Sequence, residues 1–228
     1  MTICIALGVA LAGKSVATGP PVPAAVTPVS PVTSSGKPGP GMFLVARRTL
    51  DDPRFGQSVV YLVAHDEDGT MGVIVNRSSD ISLSEALPDI EDAQATMHAL
   101  NYGGPVGLPV ILMLVRGETA IEGMAHVAGD IFISAERRVL DQVIAARKPA
   151  SEVRFFIGHS GWAAGQLDFE LERGSWYVVT ADTDAIFSGE SESLWPRLIE
   201  RLEPEGIQVN KQPSSLRLTL TEKFPAFD

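Results

Sequence analysis

Residues 153–179 place the tightest limit on what this chain can fold into. An apolar run at residues 153–157 reads as a buried strand, and Gly158, Gly161 and Gly165 follow within eight residues. Glycine at that density marks backbone that takes positive φ or lies too close to another segment for a Cβ. A short amphipathic stretch comes next and leads into Ser175-Trp176-Tyr177-Val178-Val179, a second strand. The reading predicts a glycine-rich loop over residues 158–170, with Trp162 held between glycines as an interface or pocket anchor rather than a core residue. Trp162 and Gln166 are four apart and share a face if the segment is helical.

From residue 42 the rest of the chain has the same β-rich character. Strands are expected at residues 42–46, 58–64, 71–76, 110–116 and 131–133. The 58–64 and 71–76 runs flank a polar turn, His65-Asp66-Glu67-Asp68-Gly69-Thr70. Asp66, Asp68 and Thr70 carry the alternate spacing of a calcium loop, but Arg77 stands where the closing glutamate belongs, so a plain hairpin turn is the better reading. Ser82 caps a short helix that Pro88 stops. Residues 89–97 are ambiguous, residues 102–109 read as a tight turn, and residues 117–129 as a connecting loop. A helix from Ser134 to Arg147 has apolar Val139, Leu140, Val143 and Ile144 at helical spacing, and a second covers residues 194–202. Leu216, Leu218 and Leu220 alternate like an edge strand. Hairpins mixed with helices do not repeat as βαβ units, so the expected class is α+β, one domain with a mostly antiparallel, curved sheet.

Composition narrows the function. With 28 acidic against 18 basic residues, a net charge of −10 argues against a non-specific nucleic-acid binder. The one cysteine, Cys4, and the four histidines, His65, His98, His126 and His159, show no metal-ligand spacing. No metal or cofactor is expected. Residues 1–40 differ from the rest: an apolar run too short to span a bilayer, then a Pro-rich stretch. An export signal, a disordered tail and a start codon placed before Met42 are the three readings, the last two ahead of export. Gly13-Lys14-Ser15 lacks the glycine-rich turn of a P-loop.

Two chemistries compete at the glycine-rich stretch. Gly158-His159-Ser160-Gly161 misses the spacing of a nucleophile elbow, and neighbouring side chains on a strand point apart. A hydrolase or transferase using His159, Ser160 and Asp168 is therefore the minor alternative to a binding or structural role. Arg47, Arg48, Arg54, Asn76 and Arg77 form a polar set at strand ends. They are suited to fork-like bonds with an anion or protein, although pairing of Arg54 with Asp51 or Asp52 is the preferred reading.

Four blocks in order carry a resemblance. They are Phe43-Leu44-Val45-Ala46 with Asp52-Pro53-Arg54-Phe55; His65-Asp66 through Gly72-Val73-Ile74-Val75-Asn76-Arg77; Gly103-Gly104-Pro105-Val106; and Gly158 through Gly161-Trp162, with Gly165-Gln166-Leu167, Glu170-Leu171 and Trp176. Over residues 41–204 the chain is similar to the YqgE/AlgH family, a bacterial group labelled transcriptional regulators, with residues 205–228 as a C-terminal extension. Ser78 replaces the proline usual after Asn-Arg, and His159-Ser160 replaces Tyr-Ala before Gly-Trp. The resemblance implies a bifurcated sheet curled into a pseudo-barrel with small flanking helices, and a cytoplasmic protein with no established reaction or cofactor. No helix-turn-helix is legible. The expected function is therefore non-enzymatic binding or regulation through an unknown protein partner. Its surface is expected to include Arg54, Asn76, Arg77, Gly103, Gly104, Pro105, Gly161, Trp162, Gly165, Gln166 and Glu170.

Overall fold

The Val-rich runs at the start of the domain become β1 (Met42–Ala46), β2 (Val59–Asp66) and β3 (Gly69–Ile74), an antiparallel meander. The β2–β3 turn is closed by Asp66, whose Oδ1 accepts from the backbone N–H groups of Asp68 and Gly69 at 3.0 and 3.2 Å, so it is a plain turn. The structure, a computed structural model, describes residues 36–94 and 96–204, all within one compact unit spanning Val32–Asp228. Cys4, most of the Pro-rich leader and the alternating leucines at 216–220 lie outside the described residues.

The next elements are β4 (Ser78–Ser82), α1 (Leu83–Ala86), α2 (Glu91–Gln94), β5 (Ala99–Tyr102) and β6 (Val106–Arg116). After them come β7 (Ala125–Ala128), β8 (Ile131–Ser134), α3 (Arg137–Ala145), β9 (Val153–Ala163) and α4 (Gln166–Glu172). The described part closes with β10 (Trp176–Thr180), α5 (Thr183–Phe187), a 3-10 turn and α6 (Leu194–Leu202). Ser82 caps α1, as the sequence predicts, and Glu85 completes a capping box with it. Helix α3 starts at Arg137 rather than Ser134, because the Ser134 hydroxyl donates to Gly123 O while accepting from Glu136 N in the entry turn. Pro149 then follows the helix end at Ala145 by a few residues.

Strands run β10-β1-β2-β3-β9-β6-β8-β7, with β4 and β5 branching from β9, in one curled, half-barrel sheet. Every pairing is antiparallel except β5 with β9. The fold is α+β, with a mostly antiparallel, bifurcated sheet and several short helices.

Strand β9 is where the sequence reading is corrected. It does not stop at Ile157; it continues through Gly158, Gly161 and Trp162 to Ala163. The first half pairs with β5 and β6, and the second with β3 in the register Thr70 to Trp162 and Gly72 to Ser160. The glycines are there for close crossing of backbone. Gly158 (φ 68°) and Gly104 (φ 146°) face each other. A Cβ on Gly158 would overlap the Gly104 carbonyl, and one on Gly104 would overlap the backbone of His159. Alternation along β9 also divides the interior. Phe156 joins the core formed by β1–β3 and β10 with α5 and α6, while Phe155 joins Leu83, Leu100, Met113, Val139 and Val143 in a second core under α1–α3.

Two more elements depart from expectation. Strand β6 starts at Val106, inside the predicted turn, and the predicted 117–129 loop contains β7. Pro105, Gly107 and Pro109 look like breakers, but residues 106–110 are exposed, where a strand tolerates residues that give up ladder hydrogen bonds.

Candidate functional site

Most of the residues marked out by sequence converge on the loop at residues 52–58 and the aromatic cluster it covers. Asn76, 7% exposed, follows β3 and uses its side chain as a clamp. Its Oδ1 accepts from Val59 N at 2.7 Å and its Nδ2 donates to Gln57 O at 2.9 Å. Arg77 donates from Nη1 to Arg54 O at 2.5 Å and from Nη2 to Gly56 O at 2.9 Å. The forks foreseen for an anion or a partner are thus occupied by the chain's own carbonyls. Arg54 is bound by Asp52, with Nη2 2.9 Å from Oδ2, and this hydrogen bond holds the Asp52 carboxyl below the usual range.

The clamped loop delivers Phe55 onto two indoles. Phe55 stacks on Trp162 at 5.8 Å and meets Trp176 edge-on at 5.7 Å, and the two indoles lie 6.0 Å apart at 83°. Glu170 on α4 serves both N–H groups: its Oε2 accepts from Trp162 Nε1 at 3.0 Å and Trp176 Nε1 at 2.7 Å. Gln166 Nε2 donates to Glu170 Oε1 at 3.2 Å, while Gln166 Oε1 accepts from Ala163 N at 3.1 Å. Trp162 is therefore a core residue, 4% exposed, and the expected exposed anchor is not found there. Gly165 (φ 71°) supplies the left-handed residue that opens α4. Phe55 was missed by the sequence reading as the third wall, since nothing local says that a loop one hundred residues earlier covers Trp162.

The remaining predicted residues lie beside this cluster. Gly103 accepts at its carbonyl from Ile74 N at 2.9 Å and from Ser160 Oγ at 3.2 Å. Gly104 is buried, Pro105 half-buried and Gly161 exposed. Ser160 is wholly buried, whereas its neighbour His159 lies against Gly107 of β6. Asp168 is exposed and lines a cleft of ≈ 460 Å³ with His65, Asp66 and Glu67. His159, Ser160 and Asp168 do not form a triad: the Ser160 hydroxyl is spent on Gly103 O and Asp168 is exposed. One ring nitrogen each of His65, His98 and His126 is engaged, with Thr70 Oγ1, Lys148 O and Gly129 O respectively. Among the described residues no group of three or more His, Cys, Asp or Glu gathers for a metal.

Two features were not foreseen. Val106, Leu108 and Val110, 43%, 53% and 45% exposed, alternate along the outer half of β6. The ladder to β8 begins only at Met113, and the ladder to β9 breaks between Val106 and Ile111. Arg154, in β9, is the other. Its guanidinium donates to Ile186 O at 2.6 Å and to Asn101 Oδ1, and burial pulls its pKa down to about 10.

The AlgH-like family model matches residues 43–206. The chain belongs to the AlgH-like family. Relatives include a UPF0301 protein of Chlorobaculum tepidum, 33% identical over 175 residues, which are 76% of this chain and 92% of that one. A UPF0301 protein of Mycobacterium leprae is 32% identical over 169 residues, 71% of this chain and 81% of its own. The solution structure of the AlgH protein from Pseudomonas aeruginosa superposes with a TM-score of 0.62 at 28% identity, covering 75% of this chain and 93% of that one. The crystal structure of a Corynebacterium diphtheriae protein gives 0.60 at 26% identity, covering 72% and 87%. The clamp, the aromatic cluster and the Gly104–Gly158 crossing thus lie within the AlgH-like region. No helix of the described residues is long and apolar enough to cross a membrane.

Proposed function

We propose that this AlgH-like chain is a non-enzymatic binding protein that regulates through contact with another protein, and that any effect on transcription passes through that partner. The carrying observation is the outer half of β6. Val106, Ile111 and Leu112 pair with β9 alone, residues 107–110 lie in the irregular stretch of that ladder, and no charged residue precedes Arg116 on β5 or β6. Open strand edges are ordinarily guarded by charge or covered. This one carries Pro109 and an irregular ladder but no charge, and with Val106, Leu108 and Val110 exposed it fits an extended, uncharged segment of a partner. Such a segment would pair its backbone with β6 and set apolar side chains on the strip. Support also comes from the site: Ser160, Asn76, Arg77, Trp162 and Glu170 are each engaged in bonds that hold the framework.

A photo-crosslinking residue placed at 108 in otherwise native cells tests this reading, with nuclease added to half of each sample. The crosslinked protein, purified, is then mixed with this chain, and amide exchange is followed over residues 106–112. Slowed exchange there, together with at least about a tenfold loss of affinity in Leu108→Glu, supports strand addition. Equal binding by Leu108→Glu, or a crosslink to nucleic acid with steep salt dependence, overturns it.

A further inference from the structure

Helix α6 ends beside β1. Trp195 Nε1 donates to Ala46 O at 2.7 Å, and Glu203 lies 3.6 Å from Arg48, just past the end of that strand. Residues 205–228 continue from this point, while the AlgH-like match stops at 206. The continuation holds a run with strand character: Leu216, Leu218 and Leu220 alternate with Arg217, Thr219 and Thr221, between Pro213 and Pro225. Val106, Leu108 and Val110 on β6 are exposed at the same spacing. The other large apolar side chains exposed among the described residues, Ile81, Met97 and Phe169, stand on separate segments. Strand β10 also lies at an edge of the sheet, yet it exposes no large apolar side chain.

The sheet sets the route between the two. From β1 the ladder passes through β2, β3 and β9 to β6, each pairing antiparallel, so β1 and β6 run the same way. Arg48 therefore marks the end toward which β6 runs. Five strand spacings of about 4.8 Å to the open side of β6, with about five residues of rise, leave roughly 30 Å to cover from Glu203. The chain from Pro204 to Leu216 spans at most roughly 40 Å when extended. A segment entering from the Arg48 end runs antiparallel to β6, the sense of every pairing in the sheet but that of β5 with β9.

We propose that residues 216–220 add to the outer half of β6 as an antiparallel strand in the free protein, with the three leucines beside Val106, Leu108 and Val110, and Arg217 and Thr219 toward water. The proposal rests on the reading of β6 as a docking edge and gives that edge its regulation: the chain's own tail occupies it, and a partner segment must displace the tail. Pro109 and the irregular ladder make β6 an imperfect template, so the tail is held by an incomplete set of backbone bonds and an apolar strip. A better-fitting segment can replace such a hold.

The test uses the full chain. A nitroxide on Glu222→Cys, with Cys4→Ser, should broaden the amide signals of residues 106–112 when label and nitrogen-15 are in one molecule. It should leave them sharp when the two are on separate copies that are mixed. In Leu218→Glu, amide exchange over 106–112 should quicken about tenfold or more, whereas Thr219→Glu should leave it unchanged. A synthetic peptide of residues 213–224 is the probe in trans. It should bind Leu218→Glu and slow exchange over 106–112 again. Wild type should bind it at least about tenfold more weakly, because the tethered copy competes at a high effective concentration. Sharp signals in the one-molecule sample, equal exchange in Leu218→Glu and wild type, or equal peptide affinity for both overturns the proposal. Broadening confined to the mixed sample overturns it in favour of a tail seated on a second copy. The two readings fail separately. A partner lost in Leu108→Glu, with exchange over 106–112 unmoved by Leu218→Glu, keeps the docking edge and removes the tail. A tail seated on β6, with a partner that binds Leu108→Glu equally, removes the docking edge and the regulatory role with it.

Discussion

Replacing Glu170 by alanine removes the acceptor for two buried indole N–H groups at once. Trp162 and Trp176 are 4% and 3% exposed, and each donates to the same carboxylate oxygen, at 3.0 and 2.7 Å. A buried donor left without an acceptor costs about 1–3 kcal/mol. Glu170 itself is only half-buried, so water can enter the vacated space and satisfy part of the loss. The expected destabilisation for both indoles together is therefore about 2–4 kcal/mol, a large share of the ~5–15 kcal/mol of a typical domain. Glu170→Gln retains an acceptor oxygen but loses the charge, and about 1–2 kcal/mol is expected. Urea unfolding followed by tryptophan fluorescence reads both values, with a circular-dichroism trace to confirm one transition. Alanine within about 0.5 kcal/mol of wild type, or glutamine as damaging as alanine, would refute the view that the carboxylate is the shared acceptor of the cluster. A variant of undiminished stability that had lost a partner would instead return Glu170 to the binding surface.

Asn76→Ala leaves Val59 N buried without its 2.7 Å acceptor, and a loss of about 1–3 kcal/mol in urea unfolding is expected. It should also speed amide exchange across residues 52–58, and unchanged exchange there would remove Asn76 as the clamp. Tyr61 is wholly buried, its hydroxyl has no partner among the described residues, and burial pushes its pKa up to about 12. Such a group contributes stability that is complete below the unfolded value of about 10 and is lost as pH rises toward 12, at about 1.4 kcal/mol per pH unit. Tyr61→Phe should be neutral or stabilising at pH 7 and should flatten the alkaline fall in the urea midpoint. An equal alkaline fall in both proteins would assign it to other groups.

What the sequence made legible was the framework, and it did so through local signals. The Ser82 cap, the Asp66 turn and the apolar spacing of α3 each act within a few residues, and the structure shows all three. Arg54 paired with Asp52 was legible for the same reason. The glycine-rich stretch was misread because Gly158 answers to Gly104, far away in sequence, and composition alone cannot separate a turn from a close crossing of strands. Trp162 was misplaced on similar grounds, since Phe55, Trp176 and Glu170 come from three other segments. Around the start of β6, Pro105 and Pro109 carry the signal of breakers, and nothing local says that the strand stands exposed.

The division of β9 between two interiors has a consequence for biosynthesis. Phe155 and Phe156 close opposite cores, and on the side away from β2, Thr70 and Gly72 of β3 pair with Trp162 and Ser160. A growing chain that has released β1 through β8 still lacks the strand that joins them. The β3 edge stays open until residue 163 has emerged, and the core that β10, α5 and α6 complete stays open longer. Until then the polypeptide has uncovered β edges of the kind that aggregate. The topology therefore sets completion of the fold late in synthesis, after β9, β10 and α6 are all available.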